Sequence, residues 1–103
     1  MNNCSFFGKI SKMALSYQDS VPCMDLELCV ENFRKSKSGK KIVENSYLVF
    51  VAWDSAAETL NANAKNGDYL LVKEAEARNW DDERIYFRIN EFKILKNVEE
   101  IND

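Results

Sequence analysis

Not one histidine occurs among the 103 residues of this chain. Its absence removes the commonest general base and every Ser-His or Cys-His arrangement for nucleophilic catalysis. It also leaves no imidazole to complete a zinc set. The three cysteines, Cys4, Cys23 and Cys29, are odd in number and include no Cys-x-x-Cys pair. They read as structural or bystander thiols, not as a disulfide framework. No apolar run reaches the ~18 residues of a membrane span. Met1-Asn2-Asn3-Cys4 lacks the basic start and apolar block of a secretory signal. These absences predict a cytoplasmic protein with no membrane contact, no metal, no cofactor and no enzymatic activity.

What is present fits one domain with a real core: 46% of the residues are hydrophobic and no stretch has the composition of disorder. The net charge of −3 counts mildly against a nucleic-acid partner, but the charges are segregated. Between Phe33 and Asn45 five basic residues (Arg34, Lys35, Lys37, Lys40, Lys41) face one acid, Glu44, whereas Glu99 to Asp103 holds three acids and no base. The division expected is a folded domain over residues 1–97 and a short acidic end over 98–103.

The dominant period is two. From Cys23 to Val30, Met24, Leu26, Leu28 and Val30 alternate with Cys23, Asp25, Glu27 and Cys29, the pattern of a half-buried strand that opens after Pro22. Cys4 to Ile10 is an earlier strand in which Gly8 marks a close approach or bend. Ser46 to Trp53 is rich in β-branched and aromatic residues. Tyr69 to Trp80 and Arg84 to Leu95 form a hairpin across the acidic link Asp81-Asp82-Glu83. Between the third and fourth strands, Ser55-Ala56-Ala57-Glu58 has the form of a capping box. Leu60 and Ala64 then share a helical face, and Asn66-Gly67 supplies a left-handed stop. Five strands with one short helix between the third and fourth is the order of an all-β, five-stranded OB-fold barrel. Residues 34–41 become the loop between strands two and three.

In the third strand, Leu48, Phe50 and Ala52 read as core, while Tyr47, Val49, Val51 and Trp53 share the other face. Tyr47 and Trp53 then stand about 20 Å apart, from a rise of ~3.3 Å over six residues. Phe33 opens the basic loop and Trp80 ends the fourth strand. Aromatic residues in strands are more often core than platform, and a lysine-rich loop is more often simply solvated. Rings set among cations are nevertheless what sequence-tolerant single-strand binding requires, because rings stack on bases and cations neutralise phosphates. Asp81, Asp82 and Glu83 lack a spaced second set of acids, so they read as a solvated turn and not as the metal site of a carboxylate nuclease.

Several stretches taken in order resemble the bacterial-type single-stranded DNA-binding proteins. They are Phe6-Phe7-Gly8-Lys9-Ile10, Met24 to Phe33 entering the basic loop, Tyr47-Leu48-Val49-Phe50-Val51-Ala52-Trp53, Ala56-Ala57-Glu58, Lys65-Asn66-Gly67-Asp68-Tyr69-Leu70-Leu71-Val72 and Ala77-Arg78-Asn79-Trp80-Asp81-Asp82. The resemblance runs from about Phe6 to Leu95. It implies base stacking on Phe33, Tyr47, Trp53 and Trp80, phosphate contacts from Arg34, Lys35, Lys37, Lys40, Lys41 and Arg78, and a homo-oligomer, tetramer or dimer. The family's long tail with an acidic, apolar tip has no counterpart in Glu99 to Asp103, so a short form without tail-mediated recruitment is expected. Glu74 and Glu76, on the strand of Arg78 and Trp80, imply weaker and more salt-sensitive binding than in a typical member. The expected partner is single-stranded DNA, or RNA, coated with little sequence preference in replication, recombination or repair. The alternative is an OB-fold protein-interaction or primosome-type accessory module whose main partner is another protein.

Overall fold

A computed structural model describes residues 2–96, so the acidic end expected over 98–103 lies outside the described residues. The strands are β1 (Cys4–Gln18), β2 (Val21–Lys35), β3 (Lys41–Trp53), β4 (Tyr69–Asn79) and β5 (Ile85–Leu95), with α1 (Ser55–Asn63) between β3 and β4. They close into a barrel in the order β1-β2-β3-β5-β4. The expected five-stranded OB barrel is therefore what the chain forms.

Closure rests on β1, which pairs antiparallel with β4 through Cys4 to Lys9 and with β2 through Lys9 to Gln18. A bulge between Ile10 and Lys12 lets the strand change sheets. Ser11, the extra residue, sends its hydroxyl to the Glu27 carbonyl and carboxylate at 3.1 and 2.8 Å. At the bend Ile10 donates to the Asp68 carbonyl at 2.8 Å and accepts from the Gly67 N–H at 2.9 Å. Gly8 is required by the close approach: a Cβ there would lie 2.8 Å from the Cys29 carbonyl oxygen and 3.1 Å from a Val30 methyl. The parallel β3–β5 contact, Phe50 with Phe87 and Val51 with Arg88, completes the ring.

Inside, Ile10, Met24, Leu26, Leu28, Phe50, Leu70, Val72 and Ile89 form the core, with Ala57 and Leu60 of α1 packed against it. Phe6 fits edge-on against Phe50, ring centroids 5.2 Å apart, and tilts against Phe87 at 4.6 Å. Asp68, the one buried charged residue among the described residues, accepts from the Lys65 N–H at 3.1 Å and pairs with Lys96 Nζ at 3.1 Å. Lys96 also donates to the Asn63 carbonyl, so it joins the end of α1 to the end of β5.

Several sequence expectations need correction. The basic segment 34–41 is not loop throughout: β2 and β3 pair continuously out to Lys35 opposite Lys41, which leaves residues 36–40 as the turn. The chain hydrogen-bonds to itself there, with Ser36 N–H on the Lys40 carbonyl at 2.8 Å and Gly39 N–H on the Ser36 carbonyl at 2.9 Å. β1 continues eight residues past its expected end at Ile10, because the bulge changes the face on which apolar residues fall. The capping box does not form: Asp54 is the N-cap, with φ 56°, and no side chain caps the helix. Ser55 is one position too late, already inside the first turn. Gly67 does have a positive φ of 98°, but α1 ends at Asn63. Gly67 thus serves the contact with Ile10, not the helix stop. Val51, expected on the outer face, is buried.

Gly8→Val forces a branched side chain into the β1–β2 backbone contact. Overpacking of this kind costs about 1–3 kcal/mol. Urea denaturation should show a lower midpoint with an unchanged m-value, and a midpoint equal to that of the parent chain would show that the close approach is not required.

Candidate nucleic-acid interface

β1 runs antiparallel to both β2 and β4, so those two strands point the same way. Their hairpin tips, residues 36–40 and 80–84, therefore project from one end of the barrel. Phe33 stands on the first arm and Trp80 at the tip of the second, 57% and 53% exposed respectively. Tyr47, 58% exposed, lies farther down β3 opposite Cys29. Trp53 lies at the far end of β3 opposite Cys23 and is only half-buried. Phe33 and Tyr47 share the outer face of the β2–β3 hairpin. Trp53 is about 20 Å farther along that face, toward the end away from the arms.

Two of the expected stacking rings carry cations. Lys41 Nζ lies 4.2 Å from the Phe33 ring centroid, and the Arg84 guanidinium lies 5.7 Å from that of Trp80. Tyr86 and Trp80 meet in a T-shaped contact with centroids 5.9 Å apart. Asp81 holds Arg84 through both carboxylate and guanidinium contacts, 2.8 Å from Nε, and also accepts from the Glu83 and Arg84 backbone N–H groups at 3.0 and 2.9 Å. Those bonds, with Arg84 foremost, hold the Asp81 carboxyl below its ordinary range. The acidic turn is thus a clip for the arm, and no cluster of three or more metal-ligating side chains is found among the described residues.

The expected phosphate contacts divide into two groups. Arg34 Nε is 2.6 Å from Glu44 Oε1, and by strand alternation it lies on the face of the arm opposite Phe33. Arg78 is 2.8 Å from Glu76, whose carboxyl it holds down together with Asn90. Lys35, Lys37, Lys40 and Lys41, in contrast, make no ion pair among the described residues. Lys35 and Lys41 are direct cross-strand partners, an arrangement of like charges that an intervening anion relieves. Below them, the Cys29 sulfur beside the Tyr47 hydroxyl pushes that tyrosine above its ordinary value. Cys4, Cys23 and Cys29 are all free, and burial, with Asp25 beside it, pushes the Cys23 thiol up.

Two aromatic residues outside the expected set belong to the same surface. Phe7, 49% exposed, stacks on Tyr69 with centroids 5.5 Å apart and planes within 5°. Tyr69, Lys9, Cys29 and Tyr47 are successive cross-strand partners, a row over β4, β1, β2 and β3. Phe7 was legible in principle, since Phe6 and Phe7 are adjacent in a strand and one of them must face outward. Tyr69 was not: a uniform period of two would put it on the face opposite Trp80. The irregularities at Val72, Glu74 and Ala75 turn both outward.

No protein-family model matches the chain, and no curated protein matches it in sequence. Solved structures do. The chain superposes on a deletion mutant of the single-stranded DNA binding protein from Thermus aquaticus with a TM-score of 0.79 at 19% identity, over 94% of this chain and 51% of that one. It therefore spans about half the length of that protein. PriB from Ralstonia solanacearum gives 0.71 at 12% identity, over 90% of this chain and 97% of that one. The small single-stranded DNA-binding protein from Streptomyces coelicolor gives 0.66 at 14% identity, over 97% of each chain. The resemblance read from the sequence thus extends to three dimensions: this chain has the OB fold found in single-stranded DNA-binding proteins.

Proposed function

We propose that this protein binds single-stranded DNA with little sequence preference, as a cytoplasmic homo-oligomer that coats exposed strands during replication, recombination or repair. Phe33, Tyr47, Trp53 and Trp80 stack on bases. Lys35, Lys37, Lys40 and Lys41 hold phosphates, joined by Arg34 and Arg78 once these leave their carboxylate partners. The observation that carries this reading is the set of half-exposed rings outside a core already filled by Phe6, Phe50 and Phe87. Stacking such a ring on a base contributes about 1–3 kcal/mol and tolerates any sequence. The cations beside Phe33 and Trp80 keep a positive charge near the phosphate that follows a stacked base. The structural likeness to proteins that bind single-stranded DNA supports the same reading.

Glu76 on Arg78 and the net charge of −3 favour a second reading, a protein-interaction or primosome-type accessory module. The likeness to PriB over nearly its whole length is consistent with it. The two readings differ in a direct measurement.

Titration with oligo-dT at low salt should quench tryptophan emission, because Trp53 and Trp80 are the only tryptophans. Moderate salt should reverse the quenching as counterions return to the strand. An unquenched signal with no binding at low salt, together with a protein partner recovered by pull-down, would establish the accessory reading instead.

Trp80→Ala removes a ring outside the core. It should leave the melting temperature within a few degrees and weaken oligo-dT binding about 5- to 150-fold. Unchanged affinity in the folded variant would remove Trp80 from the interface. Asp81→Asn, which loosens the clip on Arg84, should weaken binding less than Trp80→Ala does, as measured by the same titration.

A further inference from the structure

Phe7, Lys9, Cys29, Glu31, Phe33 and Tyr69 line one open depression of about 300 Å³ on the outer face of β4, β1 and β2. None of the expected stacking positions except Phe33 belongs to it. One wall is the Phe7–Tyr69 pair, two parallel rings already in contact. Phe33 stands on the other side with Lys41 at its ring. Lys9 Nζ lies 5.9 Å from the Tyr69 ring centroid, which puts a cation at the mouth of the slot. The half-exposed Phe7 ring contributes nothing to the core that Phe6, its neighbour, fills.

We infer that this depression is a further nucleotide-binding slot, in which a base inserts against the Phe7–Tyr69 stack and the adjoining phosphate meets Lys9. Flat rings with parallel planes match the face of a base, and the chemistry of the rim orients it. Glu31 repels a phosphate and can only accept hydrogen bonds, so the edge of the base that carries N–H donors faces Glu31 and the backbone lies toward Lys9. The strand then leaves the β2–β3 hairpin and crosses β1 to β4, following the row Tyr47, Cys29, Lys9, Tyr69. With strands ~4.8 Å apart, the two tyrosines at the ends of that row are roughly 14 Å from each other. The slot rests on the proposed function, which it extends from the hairpin arms across the body of the barrel.

The test uses the whole chain with an oligonucleotide carrying 5-iodouracil at single positions. Irradiation of the complex joins the base to the aromatic side chain on which it stacks, and peptide mapping locates the bond. The expected result is an adduct at Phe7 or Tyr69, together with an oligo-dT affinity about fivefold or more weaker in Phe7→Ala. Adducts confined to Phe33, Tyr47, Trp53 and Trp80, with Phe7→Ala binding as tightly as the parent, would overturn the slot and leave the proposed function intact. Dissociation of an oligomer by Phe7→Ala in sedimentation, with no adduct at Phe7 or Tyr69, would assign the face to contact between copies and also overturn it. No binding of any oligonucleotide by the parent chain at low salt would overturn the slot and the proposed function together.

Discussion

One strand belongs to two sheets, and the barrel depends on how it manages the change. β1 pairs with β4 before the bend and with β2 after it. A regular strand cannot do this, because its side chains would keep their faces while the sheet curls away. Gly8 allows the backbones to approach, and the extra residue Ser11 resets the alternation, so that Phe6 and Ile10 point inward before the bulge and Met13 and Leu15 after it. The backbone bonds of Ile10 with Gly67 and Asp68 then fix the bend against the start of β4. Once β1 is fixed between its two neighbours, β2 and β4 must run parallel to each other. Both hairpin arms therefore leave the same end of the barrel.

The charges on those arms are arranged less simply than their number implies. Arginine usually suits phosphate better than lysine, because its fork grips two oxygens. Here both expected arginine contacts, Arg34 and Arg78, are held by carboxylates, and Arg34 lies across the arm from Phe33. These pairs are exposed, where an ion pair contributes ~0–1 kcal/mol, so a phosphate can compete for either guanidinium. The lysines of this arm carry no such partner among the described residues, and Lys35 and Lys41 face each other across the hairpin. Positive charge without local compensation thus concentrates on one arm, and a net charge of −3 over the chain does not describe the field a strand would meet there.

The sequence made the strands legible wherever apolar and polar residues alternate without interruption, as from Cys23 to Val30 and from Ser46 to Trp53. Strand ends were hidden for two different physical reasons. In the arms, Arg34, Lys35 and Lys41 read as loop because neither face of a two-stranded ribbon projecting from the barrel is buried, so no apolar alternation marks it. Beyond Ile10 and near Glu74 the alternation is present but shifts phase at an irregularity, which a fixed period cannot follow. The same shift concealed Tyr69. The cap of α1 failed by a single residue: Asp54 takes a positive φ, so the chain enters the helix one position before the Ser55–Glu58 pattern does.

The placement of the aromatic residues joins fold to function. A small barrel needs few large rings inside, and Phe6, Phe50 and Phe87 meet one another with centroids 4.6 to 5.4 Å apart. Further rings at Phe7, Phe33, Tyr47 and Trp80 gain only part of the burial energy that such side chains can yield, roughly 25 cal/mol for each Å² removed from water. Leaving several half-exposed on one small domain makes association favourable and promotes self-association unless another surface covers them. Lysines beside Phe33 and Tyr69 and the guanidinium beside Trp80 select what that cover can be. An apolar protein surface would have to desolvate the lysines among them without compensation, whereas a single strand brings a phosphate with every base. The pairing of flat apolar faces with adjacent positive charge, repeated on both arms and across β1, is the physical reason the surface fits a nucleic-acid strand better than a purely hydrophobic partner.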